Sequence, residues 1–245
     1  MKKVFFALIL SLFSVNFCFA DENIARLEEE CKSVINKPKV KVLSSYGKLQ
    51  YDFTKDNAYL KKETEKKYNE QNIKLQSDLT PVGLTKVRDN FEFNMNIGQI
   101  EVSRGYKCFY PESIEVYLGY SFPVIYVSNE LKKDSCMYKV AMRHEKTHMQ
   151  MYIDGLDYFL PKLKRTVKGL YDNIGVKVVK SGINYEEVAR ELNEAYVSVV
   201  EDKVTKWRAD IAKEQMKLDS LEHYVLENLI CEEEEAFIAE KQNKE

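Results

Sequence analysis

The chain has 245 residues, a net charge of −2, 31% charged residues and 44% hydrophobic ones. That composition is ample for one sizeable domain with a real core, or for two small ones. It has no basic stripe of the kind phosphate binding needs, which argues against nucleic acid as a partner. Met1–Ala20 reads as a secretory signal peptide: Lys2 and Lys3 precede the apolar run Val4–Phe13, and Cys18-Phe19-Ala20 puts small residues where a signal peptidase checks. The run is too short for a transmembrane helix, and a lipid anchor on Cys18 is the alternative. Cleavage would leave 225 residues (245 less 20) and, without Lys2 and Lys3, a net charge of −4 (−2 less 2). The expected product is an exported bacterial protein, periplasmic or secreted, with no stable membrane insertion. Four of the five cysteines then remain: Cys31, Cys108, Cys136 and Cys231. In an oxidising compartment they predict two disulfides, with Cys108–Cys136 and Cys31–Cys231 the favoured pairing.

Downstream, residues 22–36 predict a first helix ended by Lys37-Pro38. Val40–Phe53 alternates with period two around Gly47 and suggests a hairpin. Asn57–Gln71 is strongly charged and reads as an exposed helix. Leu79–Val127 is rich in β-formers and carries most of the Gly and Pro punctuation. Short alternating runs lie between these breaks, at Phe91–Phe93, Ile100–Val102, Ile114–Tyr117 and Val124–Val127. They predict a small mixed or antiparallel sheet of about four strands.

The informative stretch follows, Asp134–Leu160. Asp134 and Ser135 are good caps, no Pro or Gly intervenes before Asp154, and Tyr138, Met142, Met149, Ile153 and Leu156 recur at helical spacing. Within it His144-Glu145-Lys146-Thr147-His148 fits H-E-x-x-H. Residues four apart on a helix stand one above the other, so both imidazoles can hold one metal ion while Glu145 reaches a metal-bound water. The chain has only three histidines and two of them are here. Pro161 is expected to open a further helix over 162–172, residues 175–182 a strand or loop, Asn184 to cap a long helix from Tyr185 to about Asp219, and Leu221–Lys241 to form the last.

A catalytic zinc ordinarily takes three protein ligands and leaves a fourth position for water. Asp154 lies six residues beyond His148, but six residues of continuous helix is about 600°, which turns it off the histidine face. Glu187, Glu191 and Glu194 share one face of the later helix. His223, the remaining histidine, is a fifth possibility, as ligand or as oxyanion donor.

The H-E-x-x-H helix resembles that of the zincin metallopeptidases. Leu192-Asn193-Glu194-Ala195 is similar to the segment that supplies the metal-binding glutamate in thermolysin-like members, which makes Glu194 the preferred third ligand. More broadly, the chain resembles secreted bacterial zinc-dependent proteases. The resemblance implies an α+β fold in which a small mixed or antiparallel sheet packs on the active-site helix and a long helical C-terminal part follows. The chain is expected to divide into the signal peptide (1–20), a segment holding the first helix, the β-region and the motif helix (21–160), and a helical segment completing the same catalytic domain (161–245). The resemblance implies one Zn2+ per chain on His144, His148 and Glu194, a peptide or protein substrate, and hydrolysis through a zinc-bound water with Glu145 as general base. The alternative is a non-catalytic zincin-like binding or scaffold protein of the bacterial envelope, with the long charged helix as partner surface.

Overall fold

The computed structural model describes residues 23–70 and 80–242. The proposed signal peptide lies outside the described residues. A first helix, α1, spans residues 23–34. It is followed by β1 (Lys39–Ser45), β2 (Gln50–Asp52), α2 (Asn57–Glu70), β3 (Gly83–Ser103), β4 (Tyr106–Val127), α3 (Cys136–Ile174), β5 (Lys177–Lys180), α4 (Tyr185–Leu218) and α5 (Leu221–Gln242). The fold is thus mixed α and β, with its C-terminal part helical. Among the described residues no helix is long and apolar enough to cross a membrane.

One five-stranded sheet is organised around β4, with which β1, β2, β3 and β5 all pair. β2 runs parallel to it, Tyr51 opposite Ile125, and β5 antiparallel, Cys108 opposite Val178. The four short strands expected from the punctuation are in fact two long ones of 21 and 22 residues. Gly98, Pro111, Gly119 and Pro123 lie inside them. A proline in a strand gives up one ladder donor, which is tolerated at a bulge, and Phe122, just before Pro123, has φ 53°. The expected hairpin over Val40–Phe53 does not form either: β1 and β2 each pair with β4. Period-two alternation says that a residue run is a strand but not which strand it joins.

Pro161 does not open a new helix. It lies inside the 39-residue α3. An internal proline costs roughly 3 kcal/mol, and buried side chains on both sides of it offset this: Leu156, Leu163, Val167 and Leu170, each 2% exposed or less.

The chain forms two compact units. The first takes the chain up to Leu43, Glu92–Val116 and Lys162–Lys203. Its core gathers Leu27, Cys31, Cys108, Tyr171, Val176 and Val178, and Cys31 and Cys108 form a disulfide there, Cα–Cα 6.2 Å. The second takes Ser44–Phe91, Tyr117–Pro161 and the chain from Val204 onward. Ile125, Val127, Ala141 and Met149 form its buried apolar cluster. Cys136, first residue of α3, is disulfide-bonded to Cys231 of α5, Cα–Cα 5.4 Å. Two disulfides were expected and two are present, but with different partners. The expected pairing joined Cys108 to Cys136 and Cys31 to Cys231; each observed bond instead stays within one unit.

Inside the second unit α3 and α4 approach closely at Gly155. A Cβ there would meet Ile211 Cδ1 at 2.1 Å. Trp207 Nε1 donates to the Gly155 carbonyl at 3.1 Å. A glycine within a helix costs about 1 kcal/mol relative to alanine, and this contact explains its presence.

Candidate metal centre

Every residue of the site belongs to the second unit. Ser135 caps α3, its Oγ accepting from the Tyr138 amide at 3.2 Å. The motif begins two turns further on. The helical spacing stacks His144 and His148 with ring centroids 4.7 Å apart. Their Nε2 atoms are 3.0 Å from each other. Asp219, in the link between α4 and α5, places Oδ1 3.1 Å from His144 Nε2 and 2.7 Å from His148 Nε2. Two imidazole nitrogens and one carboxylate oxygen therefore converge on one small volume.

The far side of each group is also held. His148 Nδ1 bonds Gln215 Oε1, while Gln215 Nε2 donates to the His148 carbonyl at 3.1 Å. That second bond fixes the orientation of the amide, because a carbonyl can only accept. His144 Nδ1 donates to Glu227 Oε2 at 3.0 Å. Tyr68 donates its hydroxyl to Asp219 Oδ2 at 2.7 Å. Both Nδ1 atoms face acceptors that cannot donate, so Nδ1 carries the proton in each neutral ring and Nε2 carries the lone pair. Such outer partners fix the tautomer of metal-binding histidines.

With both rings neutral, two lone pairs would face a carboxylate oxygen about 3 Å away, a repulsion relieved by a cation among them, either a proton on Nε2 or a metal ion. The surroundings favour one. Burial works against a charged His144, but the Asp219 hydrogen bond and the nearby Glu145 and Glu227 carboxylates raise its pKa to about 9. Burial likewise disfavours the Asp219 carboxylate, yet its bonds to the two histidines hold it well below the usual range. The spacing suits a metal ion. Tetrahedral bonds of about 2.0–2.1 Å put ligand atoms about 3.3 Å apart, close to the 2.7–3.1 Å seen here. Two imidazoles and a carboxylate suit zinc and several other transition metals.

Glu145 completes the cluster, its carboxylate within 4.8 Å of the ligand atoms of both histidines. It is 5% exposed. Burial raises its pKa, against the pull of His148, His144 and a hydrogen bond from Thr85. Thr85 Oγ1 lies 2.8 Å from both Glu145 Oε2 and the Glu145 carbonyl. Opposite, Gly83 leaves room for the carboxylate: a Cβ at that position would stand 2.6 Å from Oε1 and 2.7 Å from Cγ. The cavity around the cluster measures about 100 Å³ and is walled in part by Tyr224, Glu227 and Asn228 of α5.

The sequence names three members of this cluster, His144, Glu145 and His148. The structure does not bring Glu194 to it. The Glu194 carboxylate is exposed and bonded to Arg190 one turn earlier, at 2.8 Å. Glu187 is exposed, and Glu191 is paired with Lys177. Asp154 is exposed and accepts from Gln150 at 2.7 Å. His223 is exposed in the first turn of α5. Asp219, Gln215, Glu227, Tyr68 and Thr85 are not identified from the sequence. One local signal for Asp219 exists. An acid following the last turn of a long helix opposes the helix dipole, and such a conflict marks a residue retained for another reason.

No family model, curated protein or solved structure matches the chain. The functional reading therefore rests on the site itself, a buried H-E-x-x-H cluster with the donor set of a metal centre.

Proposed function

We propose that the protein is an exported, divalent-metal-dependent peptidase, with zinc the expected ion and one site per chain. His144 Nε2, His148 Nε2 and Asp219 Oδ1 would hold the ion. The observation that carries this reading is the convergence of these three atoms, each oriented from behind by Gln215, Glu227 or Tyr68. Asp219 takes the place for which Glu194 is the expectation from the sequence. A bound divalent ion acidifies water and polarises a carbonyl. Glu145 then serves as general base: it takes the proton of the attacking water and returns it to the leaving amine nitrogen. Thr85 fixes Oε2, and Gly83 leaves the space in which Oε1 can move that proton. The two disulfides support passage through an oxidising compartment.

The test pairs metal content with turnover. Glu145→Gln should keep one ion per chain and lose roughly 10²–10⁴ in hydrolysis of a peptide mixture. Equal turnover in wild type and variant would overturn the peptidase reading. One observation favours the second reading, a metal-holding binding protein of the envelope. At about 100 Å³ the cavity falls below the ~300–1,000 Å³ of ordinary ligand sites. Metal retention with no hydrolysis by the wild type would select that reading.

A further inference from the structure

A second, larger groove of about 810 Å³ lies in the same unit, against about 100 Å³ for the metal cavity. This falls in the ~300–1,000 Å³ range of sites that bury a drug-sized ligand. Three aromatic residues, Tyr120, Tyr152 and Trp207, are among those that line it. Tyr120 and Trp207 have ring centroids 6.2 Å apart, and Tyr152 meets Tyr120 edge-on at 5.2 Å. The polar edge of Trp207 is already satisfied by the Gly155 carbonyl.

The rim is charged, and its charges do not cancel. Three acids line it and each has a cation: Glu63 with Lys86 at 2.6 Å, Asp89 with Arg208 at 3.3 Å, and Glu70 with Lys66 at 4.0 Å. Lys67 and Lys213 line it too. Neither has a carboxylate within ion-pair distance among the described residues. Lys67 does feel Asp219, whose oxygens are engaged by His144, His148 and Tyr68. The groove thus carries two uncompensated positive charges on a chain whose net charge is −2. Three interspersed acids would repel a polyanion, so the fit is to one or two carboxylates beside an apolar group.

We infer that this groove binds an acidic peptide segment, an aromatic or apolar side chain lying against the Tyr120–Tyr152–Trp207 cluster that lines it and its carboxylates on Lys67 and Lys213. Its occupant need not be cleaved, but the groove adjoins the metal cavity, whose walls also include Lys67 and Thr85. Thr85, which bonds Glu145, and Gln215, which bonds His148, both line the groove. An occupant would therefore touch the two residues that orient the proposed base and one proposed ligand.

Trp207 is the only tryptophan of the chain, so its emission reports on the groove directly. The probe is the synthetic peptide Ac-Glu-Phe-Asp-NH2, titrated into the purified protein beside Ac-Lys-Phe-Lys-NH2, with mass spectrometry showing that each stays intact. The expected result is a saturable change with the acidic peptide, with affinity at least about tenfold above the basic one and about tenfold lower in the Lys67→Ala/Lys213→Ala double variant. Added salt should weaken it. The Lys67→Glu/Lys213→Glu variant should invert the preference. Both double variants should keep the wild-type circular dichroism, since neither lysine is buried. No saturable response, an equal response to both peptides, or an affinity unchanged in the double variants would overturn the inference. So would preferential binding of an anionic polysaccharide.

Discussion

The two ends of α4 carry similar chemistry to opposite outcomes. In the first unit its N-terminal half presents Glu187, Glu191 and Glu194 to solvent, two of them paired with nearby cations. In the second unit its C-terminal end presents Gln215, 3% exposed, and just beyond it Asp219, and both meet imidazoles. Gln215 and Asp219 are four residues apart, the same spacing as Glu187 and Glu191. Spacing is therefore not what makes a ligand. An exposed carboxylate is satisfied by water and a local lysine or arginine, at little gain in stability. A carboxylate withdrawn from water must find strong partners, and those partners pin it in place.

That contrast can be sharpened by substitution. After Glu145→Gln, Gly83→Ala should have the largest effect on turnover. Its Cβ would overlap the Glu145 carboxylate, and displacing a reacting group by about 1 Å costs roughly a hundredfold. Kinetics beside metal analysis should show activity lost and metal kept. Next come the outer partners. Gln215→Ala and Glu227→Ala should each weaken metal affinity about 10–100-fold in a chelator competition, whereas Glu187→Ala and Glu191→Ala should leave it unchanged. The disulfides should divide the same way. Removing Cys31–Cys108 by serine substitution should cost about 2–5 kcal/mol in denaturant unfolding and spare the metal. Removing Cys136–Cys231 should cost a similar amount and also loosen metal binding, since Glu227 rides on the helix that this bond ties to α3. Smallest of all, Arg190→Ala should change neither the thermal midpoint nor metal content measurably, because its pair with Glu194 is exposed.

Much of this was legible in the sequence, for reasons that also explain the rest. H-E-x-x-H is a local pattern, and local helical geometry suffices to bring His144 and His148 together. The boundaries of α4 and α5 follow from the Asn184 cap and the break at Asp219-Ser220, both short-range features; Asn184 Oδ1 does accept from the Glu186 amide at 3.0 Å. Asp219 is 71 residues from His148, and nothing local encodes which distant acid the fold will bury against a given histidine. The cysteine pairing failed likewise: four cysteines fix the number of bonds but not their partners. The strands depart from the sequence pattern for a different reason. Gly and Pro inside β3 and β4 read as breaks, whereas the two long strands run through them.

The most direct test of the central claim is the metal content of the purified protein, measured by elemental analysis for wild type, Asp219→Ala and Glu194→Ala prepared together. One divalent ion per chain is expected in the wild type and in Glu194→Ala, and its loss in Asp219→Ala, with all three proteins giving the same circular dichroism. Retention of the ion by Asp219→Ala with loss from Glu194→Ala would contradict that claim. So would a wild-type protein that takes up no ion when offered one.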